Sequence, residues 1–452
     1  MSVLEEVAQP GEPPVGAAMA ADHIDADLSW PATYEPAVPH EAFDRLRAAA
    51  PVAWHTERVP ELLAQAGGAM RMLVDSPGFW AVTSHAEVTE VSRNPDRFSS
   101  WLGGVFMSSP DPNSLLMARQ MMLNMDPPEH SRLRRILQPI FTPKAVQRLV
   151  ESVERNAREI VDDIAADGEC DLVPNVSAEM PLRVLADLLG MPRDDRHLMF
   201  DWSNKLIGIE DPEYGGNLGE SMAALMEMMQ YGKAIADDRR AEPRDDMVSM
   251  IVNAEVDGQR LTDVEFGMFW LLLVIAGNET TRNSFSGAVV ALHEHDKWGE
   301  LRDNPDLMPT AVDELLRYVS PVMQFRRTAT HDTELGGQAI RAGDKVVIFY
   351  GAANRDPAVF TDPHGLDLAR DPNPHVAFGI GPHFCLGSHL ARLQLRSLLG
   401  ELLQRLPDLE IDGSVERMRS NFISGIRHVP VRYTPAAPPP PPRPRRPTPV
   451  VL

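Results

Sequence analysis

The sequence predicts a mainly α-helical fold with a minor β portion. Three observations carry that prediction. Apolar residues recur at three-to-four-residue spacing through most of the chain, only two short runs read as strands, and the stretch 261–294 is apolar on all sides over a helix-like length. In order, the helical periodicity covers residues 40–50, 86–93, 129–137, 143–166, 177–189, 217–240, 262–294 and 309–319, with a last helix over 388–405. The β-like runs are 79–82 and 345–348. Residues 1–30 are acidic and rich in Pro, Ala and Gly, and are expected to be poorly ordered. Residues 31–434 are expected to form one folded unit. The Pro-rich stretch 435–452, with Arg443, Arg445 and Arg446 interspersed, reads as a flexible tail.

Length alone would suggest about three domains for 452 residues. One unit explains the chain better, because its chemical motifs are scattered between Met125 and His389 and must meet. With 43 Lys and Arg against 65 Asp and Glu, the net charge of −22 argues against nonspecific nucleic-acid binding and against an anionic membrane surface. Residues 1–30 hold no apolar run long enough for a signal or membrane anchor, so a cytoplasmic protein, read as a monomer, is expected. Only two cysteines occur, Cys170 and Cys385; if Cys385 is committed to a metal, Cys170 has no partner, so no disulfide framework is expected and a reducing compartment fits. Cys170 reads as an ordinary structural position.

Cys385 sits in Phe378-Gly379-Ile380-Gly381-Pro382-His383-Phe384-Cys385-Leu386-Gly387. A lone cysteine would be a small buried hydrophobe. Here the glycines allow a tight turn that aims amides at the sulfur, and such amides tune a metal-bound thiolate. The pattern F-G-x-G-x-H-x-C-x-G resembles the haem-binding loop of the cytochrome P-450 superfamily of haem-thiolate monooxygenases. The resemblance runs from about Trp30 to about Thr434 and implies a mainly α, roughly triangular fold, with haem b between the long central helix and the cysteine loop. Cys385 is then the iron ligand, Phe378 shields its sulfur, and Gly387 lets the chain approach the macrocycle. Residues 31–434 become the catalytic domain.

Ala276-Gly277-Asn278-Glu279-Thr280-Thr281, inside the apolar helix, resembles the family's A-G-x-[D/E]-T-T motif. An acid and a hydroxyl in such a helix need a reason. By resemblance, Ala276 and Gly277 leave room for dioxygen above the haem, Thr280 hydrogen-bonds it, and Glu279 relays protons from solvent. The local alternative is that Thr280 satisfies the carbonyl four residues earlier. Glu314 and Arg317 lie at i and i+3 on one helical face and resemble the family's E-x-x-R, a structural pair whose third partner is expected to be Arg370 or His375. His130 and Arg134 share a helical face, and with Arg327 and His383 they match the positions that hold the haem propionates. Singly, each of the four is as readily a solvated surface cation.

Pocket residues are expected from four segments: Trp101, Val105, Phe106, Met107 and Met122; Phe269, Leu272 and Leu273 on the long helix; Val322, Met323 and Phe325; and Phe422 with Ile423. Most are apolar, which suits a hydrophobic small molecule. For any one of them, plain core packing is the simpler account. Met222, Met226, Met228 and Met229 stand where lid helices are expected. Segments 123–128 and 419–426 look like those of bacterial subfamilies acting on sterol side chains, terpenoids and branched lipids. No flavin, nicotinamide or iron–sulfur motif occurs, so electrons from NAD(P)H must arrive through separate proteins, most simply a ferredoxin and its reductase. Arg132, Arg135, Lys144, Arg392 and Arg396 are expected to steer that acidic partner. The rival readings are a peroxide-driven peroxygenase, which the Glu279-Thr280 pair disfavours, and a haem-thiolate gas sensor, for which no regulatory segment is evident.

Overall fold

A computed structural model describes residues 12–58, 73–74, 76–215, 218–256 and 258–436. Its principal helices are His40–Ala49 (α1), His85–Arg93 (α2), Glu129–Leu137 (α3), Val150–Ile164 (α4), Glu179–Leu189 (α5), Arg196–Ile207 (α6), Leu218–Ala241 (α7), Asp263–Glu294 (α8), Met308–Val319 (α9) and Ser388–Arg405 (α10). The main strands are Val52–Thr56 (β1), Gly78–Val82 (β2), Phe98–Ser99 (β3), Glu169–Asp171 (β4), Gln324–Ala329 (β5), Lys345–Phe349 (β6), Glu410–Ile411 (β7), Glu416–Arg417 (β8), Ile426–His428 (β9) and Pro430–Arg432 (β10).

Helix α8 organises the rest. A capping box starts it: the Glu265 amide donates to the Thr262 hydroxyl, and the Thr262 amide donates to the Glu265 carboxylate. From there the helix packs against α5, α6, α7, α9 and α10. Its C-terminal half, with Phe285 and Val289, joins Val153, Ile160, Leu315, Leu398 and Leu399 in one apolar cluster. Its N-terminal half, with Phe269 and Trp270, joins Leu185, Trp202 and Met228 in another. Each large side chain sealed in this way stabilises the fold by about 1.5–3 kcal/mol.

The larger sheet has the order β1-β2-β6-β5-β3, with β6 parallel to β2 and antiparallel to β5. Strands β2 and β6 are buried along their whole length, which is why they showed in the sequence as unbroken apolar runs. Strand β5 carries Arg326 and Arg327 in its centre, and these hid it. Strand β10 pairs with β7 and β4, and β8 pairs with β9.

Four differences from the sequence expectation have physical reasons. The helix expected over 143–166 breaks at residues 148–149, so that Val146 and Val153 both reach the same cluster. Helix α6 was not anticipated, because its inner face carries Ser203 and Asn204 beside Met199 and Trp202, which blurs the apolar period. A π-helical turn, Val173–Ser177, precedes α5. Residues 12–30 were expected to be poorly ordered, but they pack: Ala20, Ile24 and Leu28 are buried, and the Trp54 amide donates to the Ala18 carbonyl at 2.8 Å. Their few apolar side chains dock singly along β1, a pattern that composition cannot reveal. Residues 1–11 and most of the Pro-rich tail, 437–452, lie outside the described residues.

Glu314 and Arg317 of α9 are fully buried and bonded in a bidentate manner, both distances 2.7 Å. Arg370 is the third partner, 2.9 Å from Glu314, whereas His375 pairs with Asp313. Arg317 also donates to the carbonyls of Asn354, Pro363 and Gly365, tying α9 to the meander before the cysteine loop. Burial pushes the Glu314 carboxyl up, but Arg317 outweighs it and leaves the group below the usual carboxylate range.

Candidate functional site

The cysteine loop turns on Gly379 and Gly381, both in the left-handed region at φ +68° and +78°. A Cβ on Gly381 would strike the Ser92 carbonyl at the end of α2. The Cys385 amide donates to the Phe378 carbonyl at 2.9 Å, and the Arg392 guanidinium lies 4.5 Å from the Phe378 ring centre. The Cys385 thiol is accessible, yet burial pushes its pKa up. The Gly387 amide, Arg134 and Arg392 act in the other direction and favour a thiolate.

Beside the loop, α3, β5 and the loop itself bring His130, Arg134, Arg327 and His383 together. The His130 and His383 rings are 4.1 Å apart, and His130 Nδ1 is buried without a partner. Arg327, almost fully buried, donates to the Arg326 carbonyl at 2.7 Å, and Arg134 donates to the Phe384 carbonyl at 2.6 Å. Burial, then Arg134 and Arg327, lowers His130 to about 4, and the same forces hold His383 well below its usual value. Asp126 interacts with Arg327 only at longer range, because its oxygens accept from Ser99, Ser100 and Trp101. Such a cluster calls for an anion from outside the protein. Two propionates above a thiolate suit it, so these residues fit haem b.

In its middle section helix α8 keeps accessible surface at Leu272, Leu273, Ile275, Ala276, Gly277 and Thr280, while Leu271, Val274, Asn278 and Glu279 are buried. The Thr280 hydroxyl donates to the Ala276 carbonyl at 2.6 Å, which is the local alternative for that residue, and its oxygen remains free to accept. A Cβ on Gly277 would lie 3.0 Å from Leu185, so this glycine lets α5 approach. One expectation is corrected. Glu279 is not open to solvent: it is 1% exposed and ion-paired with Arg282, which also donates to the Asn204 side-chain oxygen Oδ1 at 2.8 Å. Asn278 donates to Ser203 at 2.7 Å. Sequence reading missed Arg282, Asn204 and Ser203. The one available signal was the run of polar residues on an apolar helix, Asn278 to Ser284.

Of the expected pocket residues, Trp101, Phe106, Leu272, Leu273, Val322 and Phe422 keep accessible surface, whereas Val105, Met107, Met323 and Ile423 are core. Met107 and Met323 pack with Phe79 and Phe349, and Ile423 bridges to Val322. Phe422 brings three segments together, its ring 5.1 Å from Phe106 and 5.6 Å from Phe325. Of the cations expected to face a partner, Arg132 is neutralised by Glu265 and Arg392 by Asp313. Lys144 and Arg396 are exposed, and Arg396 lines a groove of about 350 Å³ with Val146, Val150, Val312, His389 and Leu393. Among the described residues, no helix is long and apolar enough to cross a membrane.

Comparison with known proteins agrees with this site. The family model described as Cytochrome P450 matches residues 289–426. Steroid C26-monooxygenase of Mycobacterium tuberculosis (strain ATCC 25618 / H37Rv) is 40% identical over 418 residues, covering 91% of this chain and 93% of its own. Methyl-branched lipid omega-hydroxylase of the same strain is 40% identical over 402 residues, covering 87% and 90%. The solved structure of Mycobacterium marinum cytochrome P450 CYP268A2 in complex with pseudoionone superposes with a TM-score of 0.83 at 41% identity, covering 91% of this chain and 99% of its own. The fold, the cysteine loop and these likenesses agree: the chain belongs to the cytochrome P450 family of haem-thiolate monooxygenases.

Proposed function

We propose that this enzyme hydroxylates the branched aliphatic end of a steroid, a terpenoid or a methyl-branched lipid in the cytoplasm, with electrons from NAD(P)H delivered by a ferredoxin and its reductase. The observation that carries the reading is the accessible surface at Leu272, Ala276 and Thr280, read together with the aromatic wall of Phe106, Phe325 and Phe422. Together these residues would line an apolar passage with the Thr280 hydroxyl on it, which suits an aliphatic chain. The similarity to a steroid C26-monooxygenase and a lipid omega-hydroxylase supports the same choice.

In this reading Cys385 ligates the iron, while His130, Arg134, Arg327 and His383 hold the propionates. The haem, when bound, supplies activation of dioxygen. Thr280 offers its hydroxyl oxygen on the distal side, and the Glu279 carboxylate, paired with Arg282, is a proton acceptor that can take up and pass on a proton when that pairing loosens. Phe106 and Phe422 orient the aliphatic chain and exclude water. Exposed Lys144 and Arg396 attract the acidic ferredoxin.

Titration of the purified holoenzyme with a steroid bearing an intact side chain, a methyl-branched fatty acid and pseudoionone tests this. At least one is expected to give a low-to-high-spin Soret shift, and turnover with ferredoxin, reductase and NADPH to give the terminal alcohol. No shift with any of the three, or oxidation confined to ring positions, would refute the proposal.

A further inference from the structure

The loop joining α6 to α7 is pinned to the β8–β9 hairpin by a charged cluster that the chemistry above does not use. Asp211, fully buried, accepts from the Arg419 amide at 2.8 Å and lies 3.3 Å from Arg427. Next to them, the His428 imidazole has a carboxylate at each nitrogen: Asp171 of β4 at Nδ1, and Glu213 of the loop 3.0 Å from Nε2. Glu416 of β8 stands opposite His428 in register, and Arg427 lies 3.7 Å from both Glu213 and Glu416. Arg427 thus faces three carboxylates, Asp211, Glu213 and Glu416, and His428, set between Asp171 and Glu213, can add a second cation to the cluster.

A carboxylate at each ring nitrogen is satisfied only while both nitrogens carry protons. Neutral imidazole has one N–H, so one carboxylate then faces a lone pair in an already acidic cluster. We propose that His428 is a proton-operated latch, holding residues 212–215 against the hairpin when charged and loosening them when neutral, while Asp211 keeps the start of the loop anchored. Burial draws the imidazole down, but the hydrogen bonds to Asp171 and Glu213 overtake it and leave it above its usual 6.5. Because the closed state binds the proton more tightly, closure is complete below the ordinary histidine range and is lost as pH rises through the raised value. The same loop carries Tyr214, whose ring lies 5.8 Å from the Arg282 guanidinium. Opening therefore uncovers the Arg282–Glu279 pair and loosens the cover of α8.

Hydrogen–deuterium exchange of the haem-loaded, full-length protein tests the latch, followed at residues 212–215 from about pH 6 to about pH 9 and corrected for intrinsic exchange. Protection is expected to fall with rising pH, by about tenfold for each pH unit by which closure raises His428. His428→Asn and, separately, Glu213→Gln should flatten the profile, leaving the Soret spectrum and the protection of residues 308–319 unchanged. Protection that is independent of pH in the unmodified protein, or a pH profile that persists in both variants, overturns the latch. Neither outcome touches the assignment of substrate.

Discussion

Replacing Arg317 by Leu should remove a large share of the stability of this enzyme without touching its chemistry. The guanidinium is fully buried and makes five hydrogen bonds, two to Glu314 and three to the carbonyls of Asn354, Pro363 and Gly365. Its loss strands a buried carboxylate that keeps only Arg370 at 2.9 Å, Asn373 at 3.1 Å and the Asp367 amide at 3.0 Å. Breaking a buried pair from one side costs about 3–5 kcal/mol, against a total of roughly 5–15 kcal/mol for a typical domain. Glu314→Leu should cost a similar amount, because it strands Arg317. The double replacement should cost clearly less than the sum of the two, since neither charge is then left alone. Urea unfolding of the haem-loaded proteins, followed by tryptophan fluorescence and the Soret band, measures all three. The pair also predicts acid sensitivity: Glu314 is held below its usual value, so its contribution is full above about pH 4.5 and is lost as pH falls through the lowered value. If Arg317→Leu costs less than about 1 kcal/mol, or if the three costs simply add, the pair is not the clasp described here.

Other replacements probe the site. Thr280→Ala should keep haem and substrate binding but divert electrons to hydrogen peroxide; product that stays fully coupled to NADPH consumption would remove Thr280 from proton handling. Arg327→Ala should weaken haem retention, read as a lower Soret-to-protein absorbance ratio on purification, with Arg134→Ala milder because Arg134 is more exposed. Gly277→Ala should cost about 1–3 kcal/mol through overpacking against Leu185 while leaving the haem spectrum unchanged; an altered spectrum with unchanged stability would mean that Gly277 does border the haem. Glu279→Gln should slow turnover by roughly 10²–10⁴-fold if the carboxyl carries protons, and unchanged turnover with an unchanged solvent isotope effect would dismiss it.

Much of this was legible along the chain because the relevant physics is local. Periodicity placed α1, α3, α7, α8, α9 and α10 closely, since each buries one continuous apolar face or, for α8, nearly its whole surface. The cysteine loop was legible because a tight turn that aims amides at a sulfur demands glycine at fixed intervals, and Gly379 and Gly381 do adopt left-handed φ. The pair at i and i+3 on α9 was legible for the same reason. Helix α6 was not, because half of its inner face is polar and makes sense only against Asn278 and Arg282.

By itself, then, the sequence set the helical class and the glycine-spaced cysteine loop through short-range spacing, while the four groups around that loop and the roles of the acid–hydroxyl pair were expectations from the family resemblance. Only the tertiary structure decided which way those side chains face. It turned Gly277 toward α5, sealed Glu279 against Arg282, and chose Arg370 over His375 as the partner of Glu314. It also docked residues 12–30 on β1 and sent Val105, Met107, Met323 and Ile423 into the core. Partner choice and burial depend on groups tens to hundreds of residues away, so no spacing along the chain encodes them.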